Sequence, residues 1–178
     1  MSMRHSETED EGIVLHKKKL LKDDVLVIIL SKSSGKIALL AKGVRSFTSR
    51  RIASIQTGNI VRFAFSATSS GLQYLTHVTL ISHLLTIKND EHRLKLFYLL
   101  LFLFDQMIPE NEPDPVVYRF CKSHIIQVAE SQVFHNSDIH RIVNSILVQF
   151  GYGEKGSLSD CYAYIEEIIG KKIPVGVL

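Results

Sequence analysis

The feature that most constrains this chain is a change of hydrophobic period part-way along it. Between residues 12 and 82 the apolar residues come in short runs, rich in β-branched side chains and broken by turn residues. After residue 90 they recur three and four apart. The first pattern suits strands and the second suits helices with a buried face. A chain that switches once between them folds as a β module followed by a helical one, an α+β arrangement. At 178 residues it is long enough to give each module a core.

Five runs read as strands: 12–16 (GIVLH), 24–30 (DVLVIIL), 36–42 (KIALLAK), 60–65 (IVRFAF) and 72–80 (LQYLTHVTL). Residues 31–35 (SKSSG) make the turn between the second and third, with Gly35 able to take a positive φ. Residues 1–10 read as a ragged polar start, and residues 44–59 as a long polar connection of the kind that carries function. Five strands within about 70 residues, with no helical pattern between them, predict a small barrel of the oligonucleotide-binding (OB) type. An SH3-like barrel fits the same spacing.

Four helices follow. Residues 92–107 are apolar nearly all round and end before Pro109. Asp114 and Pro115 open a second helix carrying Val117, Phe120, Cys121, His124, Ile125 and Val128. Residues 138–150 show the clearest amphipathic stripe, stopped by Gly151. Ser159 caps a fourth helix that ends at Gly170. The boundary falls near residues 82–89, giving a five-stranded barrel domain over 1–83 and an all-helical domain over 84–178.

Several function classes are set aside. The longest apolar run, residues 96–104, has nine residues, against roughly 20 for a membrane span. Residues 1–15 are acidic rather than basic and apolar, and two cysteines make no disulfide framework. A cytoplasmic protein without membrane contact is the expectation. No G-x-S-x-G elbow and no G-x-x-x-x-G-K-[ST] loop is present. Cys121 and His124 make the only close pair of zinc-type ligands, and Cys121 lies on an apolar stripe where it serves as a small hydrophobe. Neither a metal nor a cofactor is expected, nor an enzyme.

The charge is unevenly spread. Residues 12–62 hold 11 Lys/Arg against 2 Asp/Glu, whereas residues 63–178 hold 9 against 12. A basic barrel beside a mildly acidic helical domain points to a polyanion surface on the barrel alone. The candidate phosphate-binding residues are Lys17, Lys18, Lys19, Lys42, Arg45, Arg50, Arg51 and Arg62. The triplet at 17–19 alternates faces in an extended chain, so at most two of its members share a surface. Phe47, inside the basic segment 43–51 (GVRSFTSRR), is the candidate for stacking on a base. Phe63, Phe65 and Tyr74 are also aromatic, but Phe63 and Phe65 share a face of their strand and read as core.

The segment EGIVLHKKKLLKDDVLVIILSKSSGKIALLAKGVRSFTSR resembles the opening of the bacterial DNA repair protein RecO family. Gly12, Ile13, Val14 and Leu15 match the family's first block. Gly35, Lys36, Ala41, Lys42, Gly43, Arg45 and Ser49 match its second. Gln56 is kept in the segment that follows, where the family's proline is lost. Arg141 and the run Phe150, Gly151, Tyr152, Gly153 resemble a later helix end. The resemblance covers about residues 11–161. It implies an N-terminal OB barrel, a helical domain and a non-enzymatic recombination mediator. Such proteins bind single- and double-stranded DNA, anneal complementary strands and, with RecR, help load the RecA recombinase. They also dock the acidic, phenylalanine-ended tail of single-strand-binding protein, for which Arg141 stands at the matching arginine. The family's four-cysteine zinc module is missing, with only Cys161 near its expected start, and the chain is tens of residues shorter than typical members. Two other readings of the same residues are a single-stranded RNA-binding module and a protein-interaction scaffold built on the helical domain.

Overall fold

The structure, a computed structural model, describes residues 7–21, 23–43, 51–84, 87, 90–131 and 135–174. These group into two compact units, Met1–His83 with Ile108–Arg119 and Leu84–Met107 with Phe120–Leu178.

The first unit is built on β1 (Glu7–Lys19), β2 (Val25–Ser31), β3 (Gly35–Ala41), β4 (Ile60–Ala67) and β5 (Gln73–Ser82). They close into a barrel in the order β1-β2-β3-β5-β4, as expected for an OB-type fold. Every neighbouring pair is antiparallel except β3 and β5, which meet in parallel at Leu40 and Tyr74.

β1 begins five residues before its expected start, at Glu7 instead of residue 12. Its first half pairs with β4 and its second half with β2. Glu7, Glu9, Asp10 and Glu11 disguise the first half as a polar leader, because acidic residues are poor strand formers and pairing overrides that preference. The handover lies at Gly12, which pairs with both Ser31 and Val61. A Cβ there would run into the γ-methyl of Ile29 and stand 3.0 Å from both the Leu30 carbonyl oxygen and the Phe63 ring. A register shift follows between Val14 and His16, the kind of bulge that bends a strand around a barrel.

Asp10 organises the β2–β3 turn. Its carboxylate accepts bonds from the Ser31 hydroxyl, the Ser33 backbone N–H (3.0 Å) and the Ser33 and Ser34 hydroxyls (3.2 and 3.3 Å). Val14, Val27, Ile29, Ile37, Leu39, Val61, Phe63, Phe65, Leu75 and Val78 fill the interior, with Phe63 and Phe65 stacked at 5.9 Å between ring centroids. Ile28 and Leu30, on the alternate face of β2, are buried as well. That double burial is why the strand reads as one unbroken apolar run.

The connection between β3 and β4 contains a short helix, α1 (Arg51–Ser54), absent from the sequence reading because four residues carry no period. Ile55 is fully buried in the barrel core and Ile52 packs against it. The Asn59 side-chain amide donates to the Ala53 and Ser54 carbonyls at 3.0 and 2.9 Å. The Asn59 carbonyl accepts from the Val14 N–H at 2.9 Å, so the end of α1 is tied to β1.

Segment Ile108–Arg119 lies with the barrel, although its position after the first long helix assigned it to the helical domain. Backbone pairing holds it there. Glu110 bridges Lys36, and the Asn111 N–H donates to the Lys36 carbonyl at 2.9 Å. Gly35 has a φ of 75°, and a Cβ there would sit 2.6 Å from the Glu112 carbonyl. The Tyr118 hydroxyl donates to the Glu11 carboxylate at 2.8 Å. Burial, and then that bond, push the Tyr118 pKa well above its ordinary value.

The second unit holds α2 (Glu91–Met107), the body of α3 (Pro115–Glu130), α4 (Asn136–Gln149) and α5 (Leu158–Ile169). Among the described residues, no helix is long and apolar enough to cross a membrane. α2 is apolar round most of its surface and buries Leu96, Phe97, Leu99, Leu100, Leu101, Leu103 and Phe104. The Asp114 carboxylate accepts from the Val116 and Val117 N–H groups at 2.8 and 3.1 Å, capping α3 as expected. The cap of α5 is Ser157 rather than Ser159. Its hydroxyl accepts from the Asp160 N–H at 3.2 Å, which places Ser159 inside the first turn. Gly170, with a φ of 66°, ends α5. Cys121 and Cys161 are buried and free, and burial pushes both thiols up from their ordinary range.

Two outcomes follow from the barrel. Gly12→Ala should cost about 1–3 kcal/mol in urea unfolding, since Ile29 and Phe63 must both give way. Tyr118→Phe should cost about 1 kcal/mol at neutral pH. Because the folded-state pKa of Tyr118 is raised, its contribution is present below the unfolded value, about 10, and is lost as pH climbs past it. The gap between wild type and variant should therefore close in alkaline melts. A constant gap from pH 7 to 11 would contradict this account.

Candidate nucleic-acid interface

Strand register decides which cations share a face, because directly paired residues point to the same side of a sheet. Lys18 pairs with Leu26, Leu26 with Leu40, and Leu40 with Tyr74. This row crosses four strands on the outer face of the barrel, since Val25, Val27, Leu39 and Ala41 take the interior. Lys42 lies two residues beyond Leu40, on the same face, and its Nζ stands 4.5 Å from the centroid of the Tyr74 ring. His16, paired with Ile28, flanks the row and is exposed. The result is an apolar strip of Leu26, Leu40 and Tyr74, half-buried, with exposed ammonium groups at Lys18 and Lys42. It offers phosphates two charges and a base one ring.

Lys17 and Lys19 take the other side, in register with the inward-facing Val27 and Val25. The Lys17 Nζ donates to the Gln56 side-chain carbonyl at 2.6 Å, and Gln56 donates in turn to the Ile52 carbonyl at 2.6 Å. Partial burial, and then the charge of Lys19, lower the Lys17 pKa. Lys17 is thus partly a structural strut between β1 and α1, while Lys19 is exposed. Arg51 is exposed at the start of α1. Arg62 is exposed on β4, in register with Glu11 and Thr79. It stands among the acidic half of β1 rather than with Lys18 and Lys42. Arg45, Phe47 and Arg50 lie outside the described residues.

Tyr74 was visible in the sequence only as one aromatic among several. What marks it is the parallel pairing of β3 with β5, which no local pattern encodes.

A second candidate surface lies within the helical unit. Arg141 lines an open groove of about 530 Å³ with Phe120, Asn144, Ser145, Val148, Gln149 and Glu154. Its guanidinium is held by Asp138 at 2.9 Å. The Phe120 ring lies 4.1 Å from the ring of His124. Both His124 nitrogens are occupied, Nδ1 by the Phe120 carbonyl and Nε2 by the Ser145 hydroxyl. Among the described residues no group of three His, Cys, Asp or Glu side chains is placed to hold a metal ion.

The barrel coincides with a known family. Residues 3–84 match the family described as "Recombination protein O N terminal". The barrel is similar to the N-terminal part of RecO proteins. It is 28% identical over 150 residues to "DNA repair protein RecO" of Streptococcus equi subsp. zooepidemicus, a match covering 84% of this chain and 57% of the relative. It is 32% identical over 115 residues to "DNA repair protein RecO" of Streptococcus pyogenes serotype M49, covering 65% of this chain and 45% of the relative. The chain thus spans about half the length of the RecO relatives it matches. Of the residues that resemble the RecO opening, the Gly35-Lys36 step and the Ala41-Lys42-Gly43 block sit at the two ends of β3.

Proposed function

We propose that this chain is a member of the RecO family and a DNA-binding recombination mediator of DNA repair. Its barrel holds strands through phosphate contacts and base stacking and carries out no covalent chemistry. The observation that carries the reading is the row Lys18, Leu26, Leu40, Tyr74 with Lys42 over the tyrosine ring. Cations flanking an outward-facing, half-buried aromatic on an OB-type barrel are suited to single strands. Neutralising the phosphates of two strands at once lowers their mutual repulsion and favours annealing. Double-stranded DNA, RecR and RecA belong to the same proposal, on the strength of the family. The charge pattern and the register support DNA or RNA equally. Competition between matched oligomers separates the two.

The helical groove favours a second role. An acidic peptide ending in phenylalanine, such as the tail of single-strand-binding protein, needs an apolar seat beside a cation. Phe120 and Val148 supply the first and Arg141 the second. Asp138 and Glu154 offset part of that charge, so binding should be salt-sensitive and modest.

In anisotropy titrations with a labelled single-stranded DNA, Lys18→Ala/Lys42→Ala should weaken binding. It should also flatten the slope of log K against log salt by about 1.4, two phosphate contacts at about 0.7 each. Tyr74→Ala should cost about 1–3 kcal/mol of binding with the slope kept, and Tyr74→Phe should retain most of the affinity. Unchanged affinity and slope in the double variant would remove this face from the mechanism. For the groove, Arg141→Ala should weaken a fluorescent acidic, phenylalanine-ended peptide about tenfold (about 1.4 kcal/mol) while leaving DNA binding intact. Equal peptide affinity in wild type and variant would rule the groove out.

A further inference from the structure

The turn between β1 and β2 carries an apolar tip between the lysine triplet 17–19 and two aspartates, Asp23 and Asp24. Leu21 is 89% exposed and Leu20 36% exposed. An exposed leucine is ordinary by itself. Here the pair follows directly on Lys17, Lys18 and Lys19 and sits on an anchored turn. The Leu20 N–H donates to the Asp24 carbonyl at 3.0 Å. The Asp24 carboxylate accepts from the Gly43 N–H at 2.9 Å, which ties the turn to the end of β3. The tip is thereby held at the end of the barrel where Lys19, Val25 and Ala41 align in register, one residue from Lys42.

We propose that Leu20 and Leu21 form an apolar wedge that packs against base faces of a bound nucleic-acid strand and separates neighbouring bases. The inference rests on the nucleic-acid reading of the barrel and adds what the tip does there. Charge complementarity selects the occupant. Phosphates drawn to Lys18 and Lys42 bring bases to within a few residues of the leucines. A leucine side chain has no hydrogen-bonding group, so it acts on a base by van der Waals contact, most extensively with its flat face. Apolar side chains inserted between base steps in this way unstack them. For a protein that pairs strands, bases held apart are bases free to be matched.

The test uses the full chain and single-stranded DNA carrying 2-aminopurine, whose fluorescence rises when it is unstacked. Leu21→Ser and Leu20→Ser/Leu21→Ser are compared with wild type after thermal melts confirm folding; the single variant changes a side chain with almost no protein contact. Wild type should raise the fluorescence. Both variants should lose most of that rise and bind 5- to 30-fold more weakly, with the salt slope unchanged. Leu21→Phe should keep the rise. Variants that bind and brighten like wild type would overturn the wedge and leave the phosphate-binding face standing. Wild type that fails to bind DNA even at low salt would overturn both. Anionic phosphatidylglycerol vesicles that bind wild type but not the variants, with DNA behaviour unchanged, would assign the leucines to a lipid surface and overturn the wedge.

Discussion

The barrel depends on one strand serving two partners. β1 pairs with β4 over its first half and with β2 over its second, and the exchange occurs at Gly12. At that residue two ladders meet over the Ile29 side chain and the Phe63 ring, and there is room for a hydrogen atom but not for a methyl. The rest of the unit follows. With the exchange at Gly12 and the bulge between Val14 and His16, β2 and β3 lie on one side of β1 and β4 and β5 on the other. The interior between them is filled by Val14, Phe63 and their neighbours. α1 closes on that core through Ile52 and Ile55 and is locked to β1 by Asn59. The Asp10 carboxylate then fixes the β2–β3 turn from the opposite half of the same strand.

Much of this was legible in the residues. β2, β3, β4 and β5 appear within two residues of their expected ends, because β-branched runs bounded by Gly and Ser are a strong local signal. The helices were legible through the spacing of apolar residues, and Asp114 and Gly170 mark ends as expected. What escaped notice lacked a local signature. The first half of β1 is acidic and is a strand only because β4 pairs with it. The strip 110–112 is held by backbone bonds to Lys36, which leave no trace in periodicity. α1 is too short to show a period.

The candidate site divides in the same way. Charge composition pointed to the barrel and to Lys18 and Lys42 among its cations. It could not say that alternation would turn Lys17 toward Gln56, or that Arg62 would stand opposite Glu11. A cluster of basic residues in sequence becomes a surface only through register. Register here depends on the bulge after Val14 and on a single parallel pair, Leu40 with Tyr74. That pair also brings the tyrosine ring beneath Lys42.

The acidic half of β1 has a further consequence during synthesis. The strand leaves the ribosome long before its partner: Glu7 pairs with Ser66 and Asp10 with Phe63, more than fifty residues later. Until β4 arrives, residues 7–13 are an unpaired sheet edge, and non-local pairings of this kind close slowly. An apolar edge would recruit the nascent chains beside it. Four carboxylates within Glu7, Glu9, Asp10 and Glu11 repel a second copy of the same strand. The residues that hide β1 from a reader of the sequence also hide it from its neighbours on the polysome.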